Sequence, residues 1–165
     1  MARAVGVRLG ISTKQSIELC NMIRGRKVVQ ARRMLTGVMD KHVAVPFLRF
    51  TNGLGHKRGM ASGRFPVNAS RQLLSLIAAA EANAQFKGIN TSNLIISHIV
   101  CQKAGNNWRY GRHKRRKMKS THVEIVVEES KEAPKAARSE KAAKGNAPPV
   151  SEVKKNEKKD DVKEK

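Results

Sequence analysis

The stretch LIISHIVCQKAGNNWRYGRHKRRKMKSTHVEIVVE, Leu94–Glu128, decides the fold. Its two ends, Leu94–Lys103 and Thr121–Glu128, are rich in β-branched residues, as strands are. Between them, Ala104–Ser120 carries Arg109, Arg112, Lys114, Arg115, Arg116, Lys117 and Lys119, with Trp108, Tyr110 and His113 among them. No acid occurs anywhere from Ala82 to Val123. The simplest geometry is a long β-hairpin whose far end concentrates positive charge. A solvated turn has no need of that charge, whereas a nucleic-acid phosphate lattice does. In the second strand Val123, Ile125 and Val127 alternate with His122, Glu124 and Glu128, so one face is buried. The matching face of the first strand is either Ile95, Ile99 and Cys101 or Leu94, Ile96 and Val100. If pairing runs towards the tip, the arm spans about 30–40 Å at ~3.3 Å per residue. A free two-stranded ribbon is marginal in water, so such an arm calls for a binding partner. Trp108 and Tyr110 suit either stacking on bases or bracing across the two strands.

Working outward, the charge is not confined to this stretch. The chain has 165 residues and a formal net charge of +21. Up to Glu129 there are 23 Lys and Arg against 6 Asp and Glu, a net +17. From Ser130 on there are 11 against 7, a net +4. The excess therefore belongs to the foldable part, where self-repulsion opposes compactness unless a polyanion neutralises it. Nucleic acid is the leading partner class. No membrane partner is expected, since there is no long apolar or strongly amphipathic basic helix. The first 129 residues are enough for one domain with one core. After Glu129 the composition falls to Lys, Glu, Ala, Ser and Pro without aromatics, so 130–165 reads as a disordered tail. The opening MARAVGVRLG has no apolar run suited to a signal peptide, and Cys20 and Cys101 form no C-x-x-C motif. Both features point to a reduced, cytoplasmic setting.

The remaining elements follow from local pattern. Ala2–Leu9 alternates Val5, Val7 and Leu9 against Arg3 and Arg8, as a short strand does. Ser12-Thr-Lys-Gln15 has the spacing of a capping box and opens a helix to about Arg24, with Gly25 as its left-handed stop. Arg26 and Lys27 open a second helix to about Met39, with Val28, Ala31, Leu35, Val38 and Met39 recurring at helical spacing. Val67–Lys87 is the clearest helix, its face made by Ala69, Leu73, Leu76, Ile77, Ala80, Asn83 and Ala84. Before it, Thr51–Pro66 holds four glycines with His56, Lys57, Arg58 and Arg64. Such a loop is too basic for a random linker, and glycine lets backbone approach phosphates closely.

The nucleic-acid-binding candidates thus fall into groups. Arg24, Arg26 and Lys27 form a corner, where the second helix's N-terminus favours anions, and Arg32 and Arg33 lie beyond it. The glycine-rich loop and the hairpin supply the others, with Lys14 and Lys103 completing the set. No metal or other cofactor is expected. His98 and His122 can face each other across the hairpin, but two histidines without a carboxylate or thiolate make a poor metal site. Only six acids precede the tail, and no nucleophile–base pairing stands out, so no catalytic residue is assigned. A DNA-architectural protein with a basic β arm is the competing binding class, but the tip lacks the proline wedge such arms often carry.

Several segments, taken in order, resemble one family. They are Ser12–Arg26, Pro46-Phe47, Asn52-Gly-Leu-Gly-His-Lys57, Gly63-Arg-Phe-Pro66 with Ala69-Ser70, Asn83-Ala84, and the strands around Lys103-Ala104 and His122–Glu129. The family is ribosomal protein L twenty-two of the large subunit, in its archaeal/eukaryotic form, called L seventeen in eukaryotes. The resemblance covers about residues 3–129. It implies an α+β domain of three helices packed on a small antiparallel three-stranded sheet with a long protruding basic β-hairpin. It also implies a structural, non-enzymatic protein of the cytoplasmic large ribosomal subunit. Its implied partners are large-subunit ribosomal RNA, neighbouring proteins including the L four family, and the nascent peptide at the exit-tunnel wall. At the tip only Arg109-Tyr-Gly-Arg112 approximates the Pro-Arg-Ala-x-Gly-Arg-like element of the family.

Overall fold

The computed structural model describes residues 1–130, so the expected tail lies, beyond Ser130, outside the described residues. The elements run β1 (Ala2–Leu9), α1 (Thr13–Ile23), α2 (Val28–Met39), β2 (Val45–Pro46), β3 (Gly63–Arg64), α3 (Val67–Phe86), β4 (Leu94–Lys103) and β5 (Thr121–Glu129). The main sheet is antiparallel in the order β1-β5-β4, and β2 pairs with β3 in a separate short ribbon. Three helices and a three-stranded sheet make the expected α+β domain. α3 lies against β1 and β5, α1 against β4, and α2 against α3.

The central strand behaves as its alternation predicts, with Val123, Ile125 and Val127 fully buried. β4 follows neither of its two expected phases throughout. Ile96 pairs with Val127 and His98 with Val126, so Ser97 is an extra residue and a bulge. Because side chains alternate every residue, the bulge changes phase. Leu94 and Ile96 face the core before it, and Ile99 and then Cys101 after it.

β1 turns the opposite way from its reading. Ala2, Ala4 and Gly6 are buried, whereas Val5 is exposed and Val7 is 63% exposed. The reason is the close seat of α3. A Cβ on Gly6 would stand 2.9 Å from Leu76 Cδ1 and 2.8 Å from Leu9 Cδ1. Only small residues fit under that helix. The register then shifts between Gly6 and Leu9, with Arg8 in the left-handed region at φ 53°.

α1 starts at its expected cap, Ser12, but the capping box does not form, because the Ser12 side chain makes no cap hydrogen bond. Instead Thr121 Oγ1 donates to Ile11 O at 3.0 Å, and Thr13 Oγ1 lies 2.8 Å from Thr121 Oγ1. A hydroxyl pair between helix and strand thereby anchors the helix start to β5. Gly25 ends the helix at φ +71°, as expected, and its N–H donates to Ile96 O at 3.0 Å. Ile96 N–H returns a bond to Arg26 O, and Lys27 bridges Ile95. These bonds cap the edge of β4. They hold Lys27 extended, so α2 begins at Val28 rather than at Arg26.

Cys20 on α1 and Cys101 on β4 are both free thiols, their sulfurs 3.0 Å apart. The hydrogen bond to Cys101 and then burial push the Cys20 thiol far up, so it stays protonated. The pair serves packing between helix and sheet. Among the described residues no group of three or more His, Cys, Asp and Glu is placed to hold a metal ion, and no helix is long and apolar enough to cross a membrane.

Candidate nucleic-acid interface

The connection between β4 and β5 is built by backbone pairing almost to its end. Ala104 N–H donates to Ser120 O, Met118 N–H to Asn107 O and Arg109 N–H to Arg116 O, with Trp108 bridging Lys117. A 3-10 turn at Gly111–His113 closes it, with Gly111 at φ +64° and Arg115 at φ +78°. The side chains along this paired segment point to solvent. Arg109, Arg112, His113, Lys114, Arg115, Arg116, Lys117 and Lys119 are all exposed. Lys117 Nζ stands 4.9 Å from the Trp108 ring centroid, a cross-strand cation–π contact. So Trp108 braces the arm while remaining 58% exposed, and Tyr110 is 90% exposed. Both roles considered for Trp108 are compatible with that position.

The glycine-rich loop is tied down by its own turns. Lys57 and Met60 exchange backbone hydrogen bonds across Arg58 and Gly59, the latter at φ +78°. Lys57 Nζ lies 5.4 Å from the Phe65 ring centroid, and Arg64 Nη2 donates to Gly53 O at 3.4 Å. His56 and Arg58 stay exposed. At the α1–α2 corner, Arg24 Nη2 donates to Ile99 O and Arg26 Nε to Met22 O. Those bonds fix the two guanidiniums while leaving them exposed. Arg33 also faces outward, but Arg32 is engaged at 2.7 Å by Glu81 of α3. Arg32 therefore ties two helices together as well as contributing charge.

The fold brings separate groups to common clefts. One, of about 370 Å³, gathers Lys14 from α1 with Lys103, Lys117 and Lys119 at the root of the arm. A second, of about 280 Å³, sets Lys14 and Arg64 beside Arg49 and Phe50. Lys14 belongs to both, so one line of cations runs from the glycine-rich loop to the hairpin. The Arg24–Lys27 corner belongs to neither cleft.

Residues 4–128, nearly all of the described domain, match the family Ribosomal protein L22p/L17e. The chain belongs to this family. Relatives agree along most of their length. A "Large ribosomal subunit protein uL22" of Archaeoglobus fulgidus is 37% identical over 135 residues, covering 77% of this chain and 87% of the relative. The protein of the same name from Methanococcus aeolicus is 38% identical over 136 residues, covering 78% and 89%. That of Methanocella arvoryzae is 42% identical over 105 residues, covering 62% and 69%. Family membership makes the chain a structural ribosomal protein and not an enzyme.

Sequence reasoning missed Arg49, Phe50 and Glu18. Glu18 is 2% exposed, and its Oε1 accepts from Arg49 N–H at 2.9 Å and Phe50 N–H at 3.2 Å. The signal for the first two was present in Pro46-Phe-Leu-Arg-Phe50, where basic and aromatic residues interleave just ahead of the glycine-rich loop. Glu18 gave none, since a single acid on a short helix reads as solvent-facing.

Proposed function

We propose that the chain is a structural constituent of the large ribosomal subunit in the cytoplasm. It binds large-subunit ribosomal RNA, supports assembly, and places its hairpin along the polypeptide exit tunnel. Its partners are then that RNA, neighbouring ribosomal proteins including the L four family, and the nascent peptide at the tunnel wall. The single observation that carries the RNA-binding reading is the tip of the hairpin. Its basic side chains are exposed while its backbone is internally paired, in a stretch with no acid from Ala82 to Val123. The mechanism is charge neutralisation plus shape. Cations of the corner, the loop and the arm displace counterions from several RNA helices, and RNA is recognised largely through phosphate, 2′-hydroxyl and form.

The test is the salt dependence of affinity for the ribosomal RNA. Each neutralised phosphate adds about 0.7–0.9 to the slope of log affinity against log salt. A steep slope is expected, and a nearly flat one overturns the mechanism. The tunnel role is tested separately. A density map of particles carrying a chain that lacks 105–118 should show a wider tunnel. A wall unchanged from the wild-type particle removes the tunnel-lining claim and leaves RNA binding standing.

A further inference from the structure

Three features coincide in the cleft of about 280 Å³ between the first turn of α1 and the 47–54 segment. It is lined by three cations, Lys14, Arg49 and Arg64, and by no carboxylate. It also presents an apolar surface, the half-buried Phe50 and Leu54. Asn52 adds a side-chain amide, which donates and accepts hydrogen bonds. A site for phosphate alone has no use for the aromatic surface. A crevice left by core packing has no use for three cations.

Two of the cations lie over the Phe50 ring, and both are exposed, so a base reaches the ring by displacing one of them onto its phosphate. Lys14 Nζ stands 5.6 Å and Arg49 Cζ 5.4 Å from the Phe50 centroid. The surface is also held in place from beneath. The buried Glu18 carboxylate fixes the backbone N–H groups of Arg49 and Phe50, so their side chains leave a set point on the chain. Binding then costs little ordering of that segment. The volume lies just below the ~300 Å³ at which small-molecule pockets begin. It suits one flat ring system and excludes a duplex.

We propose that this cleft binds one unpaired nucleotide of the RNA, its base against Phe50 and Leu54, the base edge at Asn52, and its phosphate on Lys14, Arg49 and Arg64. The inference rests on the RNA-binding reading above and adds a base-level contact to it. Proteins that recognise RNA bases generally do so where the base is unstacked and free to lie on an aromatic ring. Here that contact sits on the globular body, away from the arm.

The experiment footprints the full-length chain on large-subunit ribosomal RNA of its source. The reagents are dimethyl sulfate and a carbodiimide, which together report the Watson–Crick edges of all four bases. Wild-type chain should protect at least one unpaired base in addition to paired regions. Two variants are compared, Phe50→Leu, which keeps an apolar residue against the core, and Asn52→Ala, at an exposed position. In one or both, that base should regain reactivity while the other protections persist. Affinity should fall roughly tenfold for Phe50→Leu. If both variants keep every wild-type protection and bind within about twofold of wild type, the nucleotide site is overturned and RNA binding stands. If the wild-type chain protects nothing, the RNA-binding reading itself fails.

Discussion

Glu18 illustrates how one residue shapes a surface it does not reach. It is one of six acids among the first 129 residues, and it lies under a cationic cleft instead of in solvent. Its carboxylate accepts two backbone N–H groups from a segment more than thirty residues away. Replacing it by alanine would remove two part-buried hydrogen bonds to a carboxylate, at about 1–3 kcal/mol in all. Glu18→Ala should therefore lower the urea midpoint of the far-ultraviolet circular dichroism transition by a corresponding amount. Glu18→Gln keeps one acceptor oxygen and should lose less. An unchanged midpoint in Glu18→Ala would show that the segment is held by other contacts. No local pattern predicts this residue, because its burial comes from a loop that folds back over α1.

Elements were legible wherever a residue's own neighbours determine its environment. The alternation of β5 gave its buried face directly, and Gly25 marked the end of α1 because only the left-handed region closes that corner. β4 resisted the same reasoning because Ser97 is one residue too many, and an insertion of one is invisible in composition. β1 resisted because the approach of α3 selected small residues over the larger, more hydrophobic valines. The capping box and the start of α2 failed alike, since contacts with β5 and the β4 edge overrode the local signal. The Gly25 corner yields a clean test. A Cβ there meets nothing within 4 Å, so any cost of substitution is conformational. Gly25→Ala should destabilise the domain by about 1–2 kcal/mol, and Gly25→Asn by less, because asparagine tolerates the left-handed region. Equal losses for the two would point to a cause other than backbone strain.

At the scale of the whole molecule, the charge was readable and its grouping was not. The tip, the loop and the corner each announce themselves as runs of Lys and Arg. That Lys14 stands at the junction of two clefts, joining loop cations to arm cations, depends on packing α1 between distant segments. The nucleotide cleft was hidden for the same reason. Its members come from positions as far apart as Lys14, Asn52 and Arg64.

The sequence contains a single Trp and a single Tyr, and the fold places both at the hairpin tip, exposed. Optically, then, this protein is its arm. Near-ultraviolet absorption and emission arise almost wholly from Trp108 and Tyr110, and the core beneath is nearly dark. Unfolding followed by intrinsic fluorescence should report on the arm and run out of step with backbone dichroism, which would look like a failure of two-state behaviour without being one. The same property makes the unlabelled chain its own probe. Adding ribosomal RNA should quench Trp108 as bases or phosphates replace water around it, and the quench should reverse with salt. Emission that stays constant at saturating RNA would put the indole outside the contact.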